Sequence, residues 1–425
     1  MLSRQDNETL TRVGPGTPMG DLFRRFWLPA LLSEEIAERD GAPVRLRLLC
    51  EDLVAFRDTQ GRVGIVDAYC AHRRAGLFFG RNEECGLRCV YHGWKFDVNG
   101  QCVEMPSEPH ENPQTHNVRI KAYLTAERNG VVWVYMGPRE SVPALPDFEW
   151  SRLPERQHTA TKRLQSCNWA QAVEGGIDSS HISFLHSRTE PVAGAPSNPY
   201  HASDRHPVFE VSDADYGLVI AARRHARPGT YYWRVTQFLL PCYTMIPPVG
   251  NFDESSQEPY DGHAWVPIDD ETTWTWSFSA SPARTYRDEE IAFRGGRKGF
   301  WGPVDEGYQP LLHRGNDYGI DRARQRTSNF TGIEGIPNQD AAVQESMGPL
   351  VDRSHERLGA SDRGIVRFRR LMLKLARDLA QGQVPACAND AALYNVRPVS
   401  MLLPQDTPVL DGAAALLRGA SAPRH

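Results

Sequence analysis

An α+β chain of two domains, each built on an antiparallel sheet, is the fold class this sequence predicts. Three observations carry that expectation. The chain has 425 residues, more than one compact core usually fills. Period-two hydrophobic stretches come in two blocks, one before residue 137 and one after residue 207. A proline-rich passage, Gly137 to Pro154, separates them and reads as the connection, so the domains are expected at 1–150 and 151–425.

In the first block, Thr17 followed by Pro18 reads as an N-cap with proline in the first turn, and a helix is expected to continue from Asp21 to Leu32 with Phe26 and Trp27 on one face. The glycines at 14, 16 and 20 follow no strand and are interrupted by proline, so they form a lead-in turn and not a dinucleotide loop. From Val44 the period becomes two. Strands are predicted at Val44–Leu49, Leu53–Arg57 and Val63–Asp67, then a hairpin over Trp94–Phe96 and Gln101–Glu104, then a buried strand at Val131–Met136. The second block opens with a helical stretch, Asn168 to Ile177, and a loop with four prolines between Pro191 and Pro207. Strands follow at Val208–Ser212, Leu218–Arg223, Tyr231–Leu240, Gly262–Ile268 and Thr272–Ser279. Helices are expected from Ile336 and over Ile365–Leu379, where apolar residues recur at helical spacing.

Composition narrows the function. A net charge of -5 with both signs interspersed gives no footprint for nucleic acid, and a small organic substrate is the natural partner. The charged N-terminus and the lack of a long apolar run predict a soluble, cytoplasmic protein with no membrane segment. Eight cysteines are too sparse for a disulfide framework and suit a reducing compartment.

The chemistry-bearing stretch of the first domain runs from Cys70 to Trp94. It pairs Cys70 with His72 and Cys89 with His92, so each of two loops offers one thiolate and one imidazole. That set suits a [2Fe-2S] cluster with both cysteines on one iron and both histidines on the other, a Rieske centre. Zinc is the competing reading, but zinc sites usually draw on Cys-x2-Cys or His-x3-5-His pairs. Cys85 has no histidine at matching spacing.

A second metal motif lies in the second domain. His181 and His186 are five residues apart and would diverge by about 140° on an unbroken helix, so the helix must break between them if both are to face one ion. A carboxylate would then complete the two-histidine, one-carboxylate set that leaves positions open on Fe(II). Asp340 is the candidate, with Glu334 and Glu345 as rivals from spacing alone. A His-x4-His pair recurs at His201 and His206, so the spacing by itself is a weak signal.

Together, Cys70-x-His72, Cys89-x2-His92-Gly93-Trp94, Asp178-x2-His181-x4-His186 and the distant Asp340 resemble the oxygenase component of the Rieske non-haem iron oxygenases over nearly the whole chain. Arg322 to Ile333, Ile336 to Gly348 and Tyr232 to Pro247 further resemble the phthalate 4,5-dioxygenase branch, whose relatives include aromatic O-demethylases. The resemblance implies a Rieske domain followed by a helix-grip (START/Bet v1-like) catalytic domain, assembled as a homotrimer or stacked trimers. It makes Cys70, His72, Cys89 and His92 the cluster ligands, and His181, His186 and Asp340 the ligands of a mononuclear Fe(II). Asp178 matches the family's bridging aspartate, which links an iron-site histidine to a cluster histidine of the neighbouring subunit; the competing role is a helix-terminal cap.

The implied reaction uses O2 in aromatic catabolism, either as a dioxygenase hydroxylating an aromatic carboxylate or as a monooxygenase removing an O-methyl group. No flavin or NAD motif occurs in the chain, so electrons from NAD(P)H are expected through a separate flavin and iron-sulfur reductase. Arginines 205, 223, 224 and 234 lie among aromatic residues, and Arg205 and Arg234 lead as carboxylate binders, the latter because Tyr232, Thr236 and Phe238 share its strand face.

Overall fold

The computed structural model describes residues 2–109, 117–189, 198–249 and 259–420; the proline-rich loop expected at 191–207 lies outside them up to residue 197. The chain divides into two compact units, Val13–Leu145, and Met1–Arg12 with Pro146–His425. The first twelve residues therefore do not belong with the first domain, as the expected 1–150 boundary had them. Helix α1 (Arg4–Thr11) buries Leu10, and its Asn7 and Thr11 backbone and side-chain groups are bonded within the second unit, Thr11 O accepting from Asn168 Nδ2 at 3.0 Å and Asn7 Oδ1 from Arg353 at 3.0 Å. Hydrogen bonds to residues distant in sequence place it, and these leave no periodic signal.

In the unit Val13–Leu145, Thr17 caps the short helix α2 (Pro18–Phe23), its hydroxyl accepting from Gly20 N. The helix ends there. The expected continuation to Leu32 is instead strand β1 (Trp27–Leu32), every residue of which is buried. Pro29 cannot donate to a helical ladder, and here it sits at a register shift in the sheet, where a missing N–H is tolerated. The strands β2 (Val44–Leu48), β3 (Glu51–Arg57), β4 (Val63–Asp67), β9 (Ala122–Arg128) and β10 (Val131–Tyr135) complete a six-stranded antiparallel sheet in the order β1-β10-β9-β4-β3-β2. A second sheet, β5 (Arg81–Glu83), β6 (Gly86–Arg88), β7 (Lys95–Phe96) and β8 (Cys102–Glu104), carries the cluster loops. Val54, Phe56, Val66, Leu77, Leu87 and Phe96 form one core with Cys70 and Cys89, so the loops rest on packed apolar side chains.

The larger unit is an eight-stranded antiparallel sheet: β11 (His158–Gln165), β12 (Val208–Ala214), β13 (Gly217–His225), β14 (Thr230–Leu239), β15 (Tyr243–Ile246), β16 (Tyr260–Pro267), β17 (Thr273–Ala280) and β18 (Val399–Pro404). The order runs β11-β17-β16-β15-β14-β13-β12, with β18 paired to β14. The helices are α3 (Trp169–Ile177), α4 (Pro199–Ser203), α5 (Asp288–Gly295), α6 (Arg322–Thr327), α7 (Ile336–Ser346), α8 (Arg363–Ala380) and α9 (Val409–Ala413). Helix α8 lies against the sheet face that carries Tyr232, Arg234, Thr236 and Phe238, with Phe368 edge-on to Phe238 at 5.0 Å. Strands β11, β15 and β18, absent from the sequence expectation, are short or mixed in polarity. Among the described residues no helix is long and apolar enough to cross a membrane, and every cysteine is free.

Candidate functional site

Two sites are built, one in each unit. In the first, Cys70 and His72 sit on the loop after β4, and Cys89 and His92 on the loop between β6 and β7. Each loop is closed on its cysteine: Cys70 N donates to Ala75 O at 2.9 Å, and Cys89 N to Trp94 O at 2.8 Å. Gly93 adopts φ 77°, and a β-carbon there would come within 2.6 Å of Pro106, so only glycine lets this turn close. Both cysteines are buried, at 1% and 3% exposure, and burial together with the neighbouring Cys89 pushes the Cys70 thiol up to about 11. The imidazoles of His72 and His92 meet edge to face with centroids 4.5 Å apart, and Trp94 stacks on His72 at 4.6 Å.

These residues fit a [2Fe-2S] cluster better than a single ion. His72 Nδ1 is buried with no hydrogen-bond partner, an acceptor left for a metal. Among the described residues, the one group of three or more ligand atoms within 4.8 Å of each other is His181, His186 and Asp340. One cysteine and one histidine from each of the two loops is the donor set of a Rieske cluster, two thiolates for one iron and two imidazoles for the other. Cys85 sits in the β5–β6 hairpin turn at φ 60°, with its N–H bonded to Thr59.

In the second unit, Asn168 caps α3 by accepting from Ala170 N, and the helix ends at Ile177. Asp178 is extended, and His181–Ser183 forms a single tight turn that stops at Phe184 (φ -123°). This break turns both imidazoles inward. His181 Nε2 and His186 Nε2 stand 3.1 Å apart, and Asp340 Oδ1 lies 3.6 Å and 3.3 Å from them. Donors bound at about 2.1 Å to one ion stand roughly 3 Å apart when adjacent, so the set fits a metal. Burial would lift the Asp340 carboxyl, but His186 and His181 outweigh it and hold it below the usual range. Of the rivals, Glu334 is exposed and paired with Arg324 at 2.8 Å, and Glu345 is buried on Tyr318 and Ser166 N.

Asp340 rides on α7, whose entry is a glycine, Gly335 at φ 82°, with no side-chain cap. Asp340 lies a turn further in and is not that cap. Its neighbour Gln339, which the sequence reading passed over, accepts from His186 Nδ1 through Oε1 at 2.8 Å and donates through Nε2 to Ile333 O at 2.9 Å. On the other imidazole, Asp178 Oδ2 lies 3.4 Å from His181 Nδ1. Asp178 Oδ1 also accepts from Ser180 N at 2.6 Å, so it stabilises the turn after α3 as well as facing the histidine. Burial lowers His181, but Asp178 and Asp340 more than offset it.

The arginines fall in different surroundings. Arg234 is buried at 5% exposure; one nitrogen donates to Pro247 O at 3.2 Å, while Nε and Nη1 have no partner. Its charge acts on His181. Arg205 is exposed, its guanidinium 5.4 Å from the ring centre of Phe184 in the histidine loop. Arg224, one of the four arginines among aromatic residues but not a leading candidate, is structural: it is buried and donates to Ser179 O at 2.6 Å and Asp204 O at 3.1 Å, pinning that loop.

Comparison with known proteins places the chain in a family. Residues 26–123 match the Rieske [2Fe-2S] domain, and residues 134–407 match the LigXa C-terminal domain like family. The phthalate 4,5-dioxygenase oxygenase subunit of Pseudomonas putida is 43% identical over 88% of this chain and 86% of its own. The 5,5'-dehydrodivanillate O-demethylase oxygenase subunit of Sphingobium sp. is 33% identical over 94% of this chain and 86% of its own. The fold is that of dicamba monooxygenase bound to dicamba, with a TM-score of 0.60 at 19% identity over 84% of this chain and 99% of the other. The chain belongs to the Rieske non-haem iron oxygenases, as the oxygenase subunit of a multicomponent system.

Proposed function

We propose that this subunit inserts oxygen from O2 into an aromatic carboxylate in a phthalate-type ring hydroxylation. The observation that carries the reading is the inward set of His181, His186 and Asp340 with the charge of the buried, half-satisfied Arg234 reaching it. Cys70, His72, Cys89 and His92 would hold the cluster, and the inward set a mononuclear Fe(II). When bound, these groups supply stored electrons and the reductive activation of O2.

The chain's own part is to hold and orient. Asp178 and Gln339 accept at the Nδ1 atoms of His181 and His186, which fixes both tautomers and leaves both Nε2 lone pairs toward Asp340. Arg234 offers unpaired N–H groups from a dry wall, where a carboxylate gains most from a charge-assisted bond. Arg205, over Phe184, would guide the acid from the exposed side. Asp178 orients His181 and presents its remaining lone pairs to His92 of a neighbouring subunit in a homotrimer or stacked trimers. Electrons would arrive from NAD(P)H through a separate flavin and iron-sulfur reductase, in the cytoplasm, where free cysteines persist.

The O-demethylase relative supports a second reading, removal of an O-methyl group from a methoxylated aromatic acid by the same sites. O2 uptake by the iron-loaded protein with a reductase and a panel of aromatic acids tests both. Hydroxylated ring product supports the first reading and formaldehyde the second. Turnover of neutral aromatics alone, with every carboxylate refused, would sink both.

A further inference from the structure

The pair His201 and His206 shares the spacing of His181 and His186, yet the structure separates its members. His206 is exposed, its backbone N–H bonded to Asp204. His201, on the short helix α4, turns inward: its Nε2 is sealed from solvent and has no partner. Its ring lies 5.8 Å from Tyr232, which also meets Tyr200 at 5.3 Å. Tyr232 and Arg234 are two residues apart on β14 and so share the inner face of the sheet. Arg234 brings two further sealed nitrogens without partners.

The unpaired groups are thus all nitrogens, and they are gathered beside Tyr232. Burying a polar atom unpaired costs roughly 1 to 3 kcal/mol, so a set of three marks a place that a ligand completes. The sign of the ligand follows from the charges around it. Arg234, Arg224 and His186 all act on His201, and burial together with them pushes its imidazole down to about 2, so the ring is neutral at physiological pH. The positive charges of Arg234 and Arg224 beside the ring disfavour a cation there and favour an anion. A neutral imidazole can place its one proton on Nε2 and donate it, and Arg234 can donate from Nε and Nη1.

Building on the aromatic-acid reading above, we infer that His201 touches the substrate: its Nε2–H and one of the free N–H groups of Arg234 together bind one carboxylate. His201 then determines specificity for an acid over its neutral analogue, since a neutral group of the same shape leaves the Arg234 donors unmet.

The test is binding to the iron-loaded wild-type protein and three variants, His201→Leu, His201→Gln and Arg234→Gln, with benzene-1,2-dicarboxylate, 3-chlorobenzoate and benzamide as probes, by equilibrium dialysis. Circular dichroism and the visible cluster spectrum check that each variant folds. The inference expects His201→Leu to weaken the bound acid about tenfold or more, with benzamide affinity unchanged. His201→Gln, which keeps a side-chain N–H donor of similar reach, should restore most of the loss. Leu and Gln variants that both bind the acid like wild type, while Arg234→Gln binds it poorly, would overturn the role of His201 and leave the aromatic-acid reading standing. Wild-type protein that binds neither acid, or prefers benzamide, would overturn both.

Discussion

Glu174 has no place in either metal site, yet its replacement should be among the most damaging single changes to the larger unit. Its carboxylate sits on α3 and accepts from Arg353 Nε and Nη2, both at 3.1 Å, and from Arg369 Nε at 2.7 Å. Arg353 continues to Asn7 on α1 at 3.0 Å, and Arg369 to Glu356 at 2.6 Å and 2.9 Å. Arg353 is 0% exposed and Arg369 3%, so the network ties α1, α3 and α8 together out of water. Glu174→Gln keeps the shape and one oxygen but leaves the buried Arg353 with no carboxylate and Arg369 with Glu356 alone. Breaking a buried pair costs about 3 to 5 kcal/mol. The retained amide oxygen argues for the lower end, about 3 kcal/mol, against a total stability of roughly 5 to 15 kcal/mol. For a unit of about 290 residues, with an unfolding entropy of about 2.1 cal/mol/K per residue, that is a fall in Tm of about 5 °C, read by calorimetry on the transition of the larger unit. Burial would lift the Glu174 carboxyl, but the charges of Arg353 and Arg369 hold it below the usual carboxylate range. Its stabilisation is therefore complete above the unfolded value of about 4.3 and is lost as the pH falls through the lower folded value. The Tm gap between wild type and variant should stay constant near neutrality and close in acid. A gap under 1 °C at pH 7 would refute the reasoning, because desolvated guanidinium groups would then have found compensation that the structure does not contain.

Three further predictions concern the iron site. His181→Ala should lower the iron content from roughly three per chain to two, by elemental analysis, and abolish product while the visible cluster spectrum persists; loss of that spectrum would mean the two sites are misassigned. Gln339→Leu removes the acceptor from His186 Nδ1 and should weaken iron retention by about 10- to 100-fold in a chelator competition, with the fold intact. Asp178→Asn should retain both metals and lose most product formation, and a mixture of Cys70→Ser and Asp340→Ala chains, each inactive alone, should regain activity when co-assembled if Asp178 serves a neighbouring subunit.

What the sequence disclosed follows the range of the forces involved. Short-range signals were legible: strand β4 falls at Val63–Asp67, α3 starts at its Asn168 cap, and the five-residue gap between His181 and His186 does hold a break, which the structure places at Phe184, α3 itself having ended at Ile177. The stretch Phe26 to Leu32 was misread because a continuous apolar run has no period, and only pairing with β10 decides for strand. Strand β18 was invisible for a related reason: it pairs with β14 across some 160 residues of chain. Gln339 was passed over because a glutamine beside a candidate ligand has no spacing rule. Its role depends on the amide orientation that Ile333 O imposes, which exists only once α7 is placed.

The two imidazoles of the iron site are held by unlike acceptors, and the difference has a direction. Gln339 is neutral, buried at 5% exposure and locked at its other end to Ile333 O, so the His186 side is held rigidly and the remaining hydrogen-bonding capacity of its amide is out of reach of solvent. Asp178 is charged, with its side chain 22% exposed, and one of its oxygens holds Ser180 N while the other faces His181. Its carboxylate has about four acceptor sites, so lone pairs remain after both of these contacts. A carboxylate on Nδ1 also makes His181 the more electron-rich imidazole of the two. Rigidity is thus concentrated on His186, and the capacity for a further hydrogen bond on Asp178. An additional donor brought to this site from solvent or from another chain can act on it through Asp178 and His181, whereas the Gln339 side is neutral and buried away from it.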